Sequence, residues 1–424
     1  MSFFASVGRI MASSLVGQVA VIGSGVVTAR ALGPTDRGHL ALMMLVPLAL
    51  SQFAQLGSAV AVNYYVAADQ GLSRSGMRNV CNLAARCIGA GIVLAAVIEG
   101  IWRWLDRGHT WDPVVFLTAL IVIAAYVVFD YSNAAMQGAG YFRAVAYTRS
   151  IPAVGYGVLA PLLWWLVTDA SQTTFYLAWA VSIILAAAIS AWVAATIGIP
   201  RLRDERTRSI EDIRAFGTRA FVGAMAPIDS FRLDQVFGAW WIGANGLGLY
   251  VVAQAFSTLP RILASNAGFV IYSDIAKGEQ DPSAEAALLR RIGLLSMINA
   301  AICIGLVILA PVLNDWFFGA HFHDAVPASR VLIISAWVWS IRKALTEIAK
   351  GRGNPGLQTR CELGIIPLAL VSAAALSPFA WSGPLKLAGA VLLAQILVLA
   401  ACFMVRQLRL DAVTALGCMP RGTT

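Results

Sequence analysis

Charge is scarce in this chain of 424 residues: Asp, Glu, Lys and Arg together supply 12% of it, about half the ~25% usual in a soluble domain. That scarcity excludes an ordinary water-soluble enzyme of this length. Other absences narrow the function further. No GxxxxGK[ST] phosphate loop occurs, so ATP hydrolysis by that machinery is excluded. No GxSxG nucleophile elbow occurs either, and no outer connection is long enough for a separate catalytic domain, so the expectation is a protein that is not an enzyme. Cysteine is sparse, and Cys81, Cys87, Cys303, Cys361, Cys402 and Cys418 lie in or beside apolar segments without metal-ligand spacing. They read as small buried hydrophobes and imply no disulfide framework. His321 and His323 stand two apart without a third defined ligand, so no metal and no resident cofactor is expected.

What the chain has instead is hydrocarbon. Hydrophobic residues make up 59% of it and its mean hydropathy is +0.74. Apolar runs of about 20 residues, the length that spans a bilayer core as helix, recur from end to end. Cutting at the polar and Gly/Pro clusters predicts twelve spans, at about 7–31, 39–67, 80–101, 113–137, 145–168, 173–198, 214–242, 246–273, 288–312, 327–349, 357–377 and 384–406. The first could be mistaken for a signal peptide, since Ala29-Arg30-Ala31 imitates a cleavage site. Its apolar stretch is too long for that.

Basic residues fix the expected orientation, because they favour the cytoplasmic side of short loops. With the N-terminus inside, that side collects roughly three times as many Lys and Arg as the other, so both termini are expected in the cytoplasm. The net charge of +9 then belongs to inner loops, and no nucleic-acid partner is needed to explain it.

The stretch ARALGPTDRGHLAL, residues 29–42, interrupts two oily runs, and WWIGANGLGLYVV does the same half a chain later. Gly33 and Gly38 stand 210 residues before Gly243 and Gly248, and Gly138 and Gly140 stand 213 before Gly351 and Gly353. Two matches at nearly one offset predict an internal duplication. The expected fold is therefore an all-α integral membrane protein of about twelve transmembrane helices, two six-helix parallel repeats forming a V-shaped transporter. The lobes are expected at 1–199 and 214–424, joined by a cytoplasmic linker at 200–213.

Charges within spans are expensive and mark candidate sites. The seventh span holds Arg219, Asp229, Arg232 and Asp234 around Pro227; Asp229 and Arg232 would share a helix face. In the eighth, Gln254, Ser257, Arg261 and Ser265 follow at helical steps as one polar stripe. The second carries Ser51, Gln52, Gln55 and Asn63. A water-filled cavity accounts for such stripes, with helix-to-helix hydrogen bonding as the plainer alternative. Arg86, Asp130, Arg149, Arg342, Lys343, Glu347 and Glu362 fall toward the expected cytoplasmic ends, where snorkelling or mutual pairing suffices.

On these residues the chain resembles the polysaccharide flippases of the multidrug/oligosaccharidyl-lipid/polysaccharide exporter superfamily. The likeness rests on ARALGPTDRGHLALMMLVP and on IDSFRLDQVFGAWWIGANGLGLYVVAQAF, which is similar to that family's Asp-containing seventh helix and following turn. The resemblance implies movement of a polyprenyl-diphosphate-linked oligosaccharide to the outer leaflet of a bacterial plasma membrane, by alternating access and as a monomer. It implies that Arg219, Arg232 and Arg261 hold the anionic diphosphate or acidic sugars. Asp229 and Asp234 would bind a coupling H+ or Na+, and Gln52, Gln55, Asn63, Gln254 and Ser257 would meet sugar hydroxyls. Glycosyltransferases and a polymerase of the same pathway are the implied protein partners. The nearest rival is an ion-coupled drug or metabolite antiporter of the same superfamily. A major-facilitator porter would carry Gly-x-x-x-Asp-Arg-x-Gly-Arg after its second helix, where this chain has DQGLSRSGMRN. A glycan polymerase or ligase would want a large outer loop.

Overall fold

The computed structural model describes residues 3–68, 74–105, 112–167, 170–197, 209–224, 232–276, 282–351 and 356–415. Among them the chain is helical throughout, with thirteen α-helices, one short 3-10 turn at Ala320–Ala325 and no strand. Eight helices are long and apolar enough to cross a membrane. Only helices satisfy every backbone group within hydrocarbon, so the protein is an all-α, multi-pass membrane protein.

The twelve expected spans reappear with their boundaries redrawn by glycine. The first and second fuse into α1 (Phe3–Gln55), which bends at Gly33 and continues after a short break as α2 (Ser58–Ala68). The third to sixth are α3 (Arg74–Leu105), α4 (Pro113–Gly138), α5 (Phe142–Leu166) and α6 (Gln172–Ile197). The seventh span divides between α7 (Ile210–Ala224) and the start of α8 (Leu233–Ala255), and the eighth between the rest of α8 and α9 (Thr258–Ala276). Then come α10 (Pro282–Phe318), α11 (Val326–Gly351), α12 (Gly356–Leu376) and α13 (Gly383–Ala415). Pro227, the expected kink, lies outside the described residues.

The duplication is visible in backbone angles. Gly33 adopts φ 71° and ψ 179°; Gly243, 210 residues later, adopts φ 68° and ψ 178°. That corner of conformational space is essentially closed to residues with a Cβ, so the chain can reverse there only at glycine. Proline follows Gly33 at the first position of the resumed helix, where its missing N–H costs nothing. The same repeat appears in α4 and α11, each 26 residues long, which begin and end 213 residues apart.

The chain forms two compact units, one of Ala12–Ala255 with Leu313–Asp324, the other of Met1–Met11, Phe256–Val312 and Ala325–Thr424. In the first, Leu40, Val115, Tyr156, Phe175 and Tyr176 form one buried cluster on α1, α4, α5 and α6. Val62, Val66, Leu83, Val127, Tyr131 and Ile213 form another on α2, α3, α4 and α7. In the second unit, Leu263, Ala267, Ile271 and Leu295 pack α9 and α10 beside Ala344 of α11. Lipid tails compete for none of these contacts on grounds of hydrophobicity, so close fit decides them.

α7 and α8, read from the sequence as the opening of the second copy, pack within the first unit. Glycine is the reason. A methyl group at Gly38 would overlap the carbonyl of Ala244 and lie 3.1 Å from the Gly248 nitrogen; one at Gly248 would overlap the carbonyl of Pro34 and lie 3.1 Å from the Gly38 nitrogen. Each contact is the other moved by 210 residues, the signature of a local two-fold axis between the duplicated bends. At the other end of the hairpin, Gly57 similarly leaves room only for the Gly217 carbonyl of α7, and Phe216 stacks on Tyr64 with centroids 4.4 Å apart.

Candidate functional site

Each copy breaks its second long helix, and the breaks carry the polar groups. The first lies at Leu56 (φ 43°) and Gly57 (φ 73°), between α1 and α2. The second lies at Phe256 and Ser257, between α8 and α9. Interrupted helices are a usual mark of a transporter's binding region, because a break frees backbone dipoles inside hydrocarbon.

One turn before the first break, Gln52 and Gln55 both aim their amides at one carboxylate. Gln52 Nε2 donates to Asp130 Oδ2 at 3.0 Å and Gln55 Nε2 donates to the same oxygen at 2.9 Å. Neutral donors around a carboxylate in a low-dielectric setting stabilise its charge without cancelling it. Next to them, the Ser58 hydroxyl donates to the Gln55 carbonyl and meets the Tyr131 hydroxyl at 2.6 Å. Asn63 lies one turn further along α2, its side chain partly exposed, and its carbonyl is packed by Gly138 of α4.

The second break has its own carboxylate. Asp234, in the first turn of α8 and buried, accepts from the Tyr250 hydroxyl at 2.7 Å and from Gln254 Nε2 at 3.0 Å. Gln235 extends the chain by donating to Gln254 Oε1 at 2.6 Å. The bend at Gly243 makes this possible. It folds the later part of α8 back, so Asp234 and Gln254, twenty residues apart, come into contact.

The remaining candidates are dispersed. Arg232 precedes α8 with φ 49°, and its carbonyl accepts from the backbone N–H of Gln235 and of Val236. It therefore caps the helix start and does not sit within a continuous seventh helix. Asp229 lies outside the described residues, as does the side chain of Arg219, whose backbone belongs to α7. The break at Phe256–Ser257 also divides the polar stripe: Gln254 ends on α8, Ser257 is fully buried in the break, and Arg261 and Ser265 lie on α9. Arg261 stands over the ring of Trp339, 5.5 Å from its centre, a cation–π contact.

Of the charges expected near helix ends, Arg342, Lys343, Glu347 and Glu362 form ion pairs. Arg342 is almost fully buried, donating to Glu362 Oε1 at 2.6 Å and to Gln395 Oε1 at 3.1 Å. Lys343 pairs with Glu347 at 2.7 Å. Asp130 was the residue that sequence reasoning undervalued. The signal was present: Gln52 and Gln55 are three apart on an apolar helix, and two amides on one face require a partner. Among the described residues no group of three His, Cys, Asp or Glu side chains is placed to hold a metal ion.

A family model described as polysaccharide biosynthesis protein matches residues 27–327. No curated protein matches the chain. Solved structures match over nearly its whole length. An inward-facing conformation of a multidrug resistance MATE family transporter of the MOP superfamily is 14% identical, covers 94% of this chain and 96% of its own, and gives a TM-score of 0.68. The outward-facing conformation of such a transporter is 15% identical over 97% of this chain and 96% of its own, with a TM-score of 0.65. A MOP superfamily transporter from Pyrococcus furiosus Vc1, described as having a binding pocket of reverse polarity that suggests a different function, is 15% identical. It covers 97% of this chain and 96% of its own at a TM-score of 0.60. At such identities the likeness is one of fold.

Proposed function

We propose, from the premise that the chain belongs to the polysaccharide biosynthesis protein family, that this membrane transporter flips polyprenyl-diphosphate-linked oligosaccharide from the inner to the outer leaflet of a bacterial plasma membrane. The observation that carries the reading is the duplicated bend. Two hairpins meet through Gly38 and Gly248 about a local two-fold axis, and each runs into a helix break beside a hydrogen-bonded carboxylate. In transporters built of repeats, alternating access works largely by rocking one repeat against the other around the site.

In this reading residues 1–199 and 214–424 are the two lobes, joined by the cytoplasmic segment 200–213, and both termini face the cytoplasm. Arg219, Arg232 and Arg261 attract the diphosphate, each as a fixed positive charge in a region of few charges. Gln52, Gln55, Asn63, Gln254 and Ser257 exchange hydrogen bonds with sugar hydroxyls. Asp234, with Asp229, takes up a coupling H+ or Na+. The prenyl tail stays in lipid throughout. The transporter works as a monomer, handing its cargo from glycosyltransferases to a polymerase.

The second reading is an ion-coupled antiporter of drugs or metabolites. Two carboxylates beside the helix breaks suit a cationic cargo, and solved structures that share the fold are described as multidrug transporters.

The test is the leaflet distribution of radiolabelled lipid-linked oligosaccharide in cells lacking the protein and in cells rescued with wild type or with Arg261→Ala. Cytoplasmic-face accumulation that wild type relieves and Arg261→Ala does not is the expected result. A normal distribution in the deletion strain, with no redundant flippase present, overturns the reading in favour of the antiporter.

A further inference from the structure

The second unit holds a cleft that the proposed transport path does not use. It is an open cleft of about 90 Å³ formed by α9, α10 and α11. Leu263, Ala267 and Ile271 form one wall, Ile292 and Leu295 the second, Ile341 and Ala344 the third. Into this apolar space projects one amide. Asn299 is 3% exposed, lines the cleft, and neither its Nδ2 nor its Oδ1 has a hydrogen-bond partner.

Leaving a buried amide without partners forfeits its hydration with nothing in return, so native structures rarely contain one. Something that the protein's own atoms do not supply must answer it. The surroundings narrow what that is. Among the eight described helices long and apolar enough to cross a membrane, α10 is the least covered: 11% of the apolar window of Ile292–Phe318, against 44% for Gly383–Met404. An apolar helix so little covered by protein is suited to face lipid. The occupant therefore reaches the cleft from the bilayer, fills it with hydrocarbon, and carries an oxygen where its chain begins.

We propose that the cleft binds a glycerophospholipid, one acyl chain lying along Leu263, Leu295 and Ala344 and its ester carbonyl accepting from Asn299 Nδ2. Ser296, one turn away on the same face of α10, lines the same cleft. A polyprenyl chain fits less well, because beyond its phosphate it is bare hydrocarbon and leaves the amide unanswered. The lipid acts as a wedge that holds α10 against the α9 and α11 pair. This inference does not depend on which cargo the transporter carries.

The test uses the full chain purified in detergent, titrated with dioleoylphosphatidylglycerol and separately with a polyprenyl phosphate, with binding read by native mass spectrometry. Wild type is expected to bind the phospholipid stoichiometrically and Asn299→Leu to bind it at least tenfold more weakly. Ala264→Phe, which fills the cleft from α9, is expected to lose the same binding with its amide intact, so the result survives if one variant fails to fold. A phospholipid carrying a photoreactive group on its acyl chain is expected to label α9, α10 and α11 around Leu263, Leu295 and Ala344. Undiminished phospholipid binding by both folded variants, labelling confined to other helices, or displacement of the phospholipid by polyprenyl phosphate overturns the proposal. The first of those results would mean that water alone answers Asn299.

Discussion

The two copies of the bent hairpin agree where backbones touch and differ where side chains do. Gly33 and Gly243 differ by only a few degrees in either torsion, and the Gly38 and Gly248 contacts mirror one another. Beyond the bends the chemistry separates. In α4 the carboxylate of Asp130 is held by two neutral amides. In α11, at the same position in the repeat, stands Lys343, paired with Glu347, and Arg342 beside it is buried against Glu362. The register of the break differs too. The first copy runs 23 residues from its bend glycine to Leu56, the second only 13 from its bend glycine to Phe256. Duplication has kept what the close backbone approach demands and released the charge pattern. At this one repeat position the first copy keeps a carboxylate and the second a basic side chain.

Substitutions break or sharpen this contrast. The largest expected effect is at the buried ion pair. Arg342→Met removes the guanidinium that pairs with buried Glu362, a loss of about 3–5 kcal/mol, and adding Glu362→Met to the same chain is expected to restore most of it. Unfolding in mixed micelles measures both. The hydrogen-bond donors to Asp130 are two neutral amides, so Asp130→Asn is expected to shift stability far less than Arg342→Met does.

Next come the contact glycines. Gly38→Ala and Gly248→Ala each push a methyl group into a carbonyl of the opposite hairpin, and overpacking of this kind costs about 1–3 kcal/mol or more. The local two-fold axis predicts matching losses at the two sites, whereas Gly25→Ala, with open space around it, is expected to be silent. A large loss at one site and none at the other breaks the symmetry argument. The bend glycines follow. Gly33→Ala and Gly243→Ala are each expected to cost about 1–3 kcal/mol from backbone strain alone, again equally, since neither meets a neighbouring atom. Smallest is Lys343→Met. Its pair with Glu347 is a one-turn pair on a single helix with Lys343 partly exposed, worth about 0.5 kcal/mol.

The hairpin glycines were readable in the sequence because a turn that needs glycine repeats it at a fixed offset. The breaks at Leu56 and Phe256 were not. The polar residues beside them, Gln55 and Ser58 in one and Gln254 and Ser257 in the other, are isolated within otherwise apolar spans, and the first interruption becomes apparent where Gly57 meets Gly217 of another helix. Asp234 and Gln254 were each singled out, yet their hydrogen bond depends on the reversal at Gly243, which a reading of separate spans keeps apart. Asp130 was assigned to a helix end because its partners lie 75 and 78 residues away. Asn299 drew no notice at all: one amide in an apolar span looks unremarkable until its neighbours prove unable to bond it.

The measurement that tests the central claim most directly is translocation in proteoliposomes containing only this protein and a polyprenyl-diphosphate-linked oligosaccharide, with leaflet exposure read by a glycosidase that cannot cross the membrane. The account predicts that protein-free vesicles keep about half the glycan protected, that wild type exposes all of it with time, and that Gly38→Ala slows the exposure at least tenfold. Permanent protection in the presence of folded wild type, together with ion-driven export of a cationic dye from the same vesicles, would contradict it.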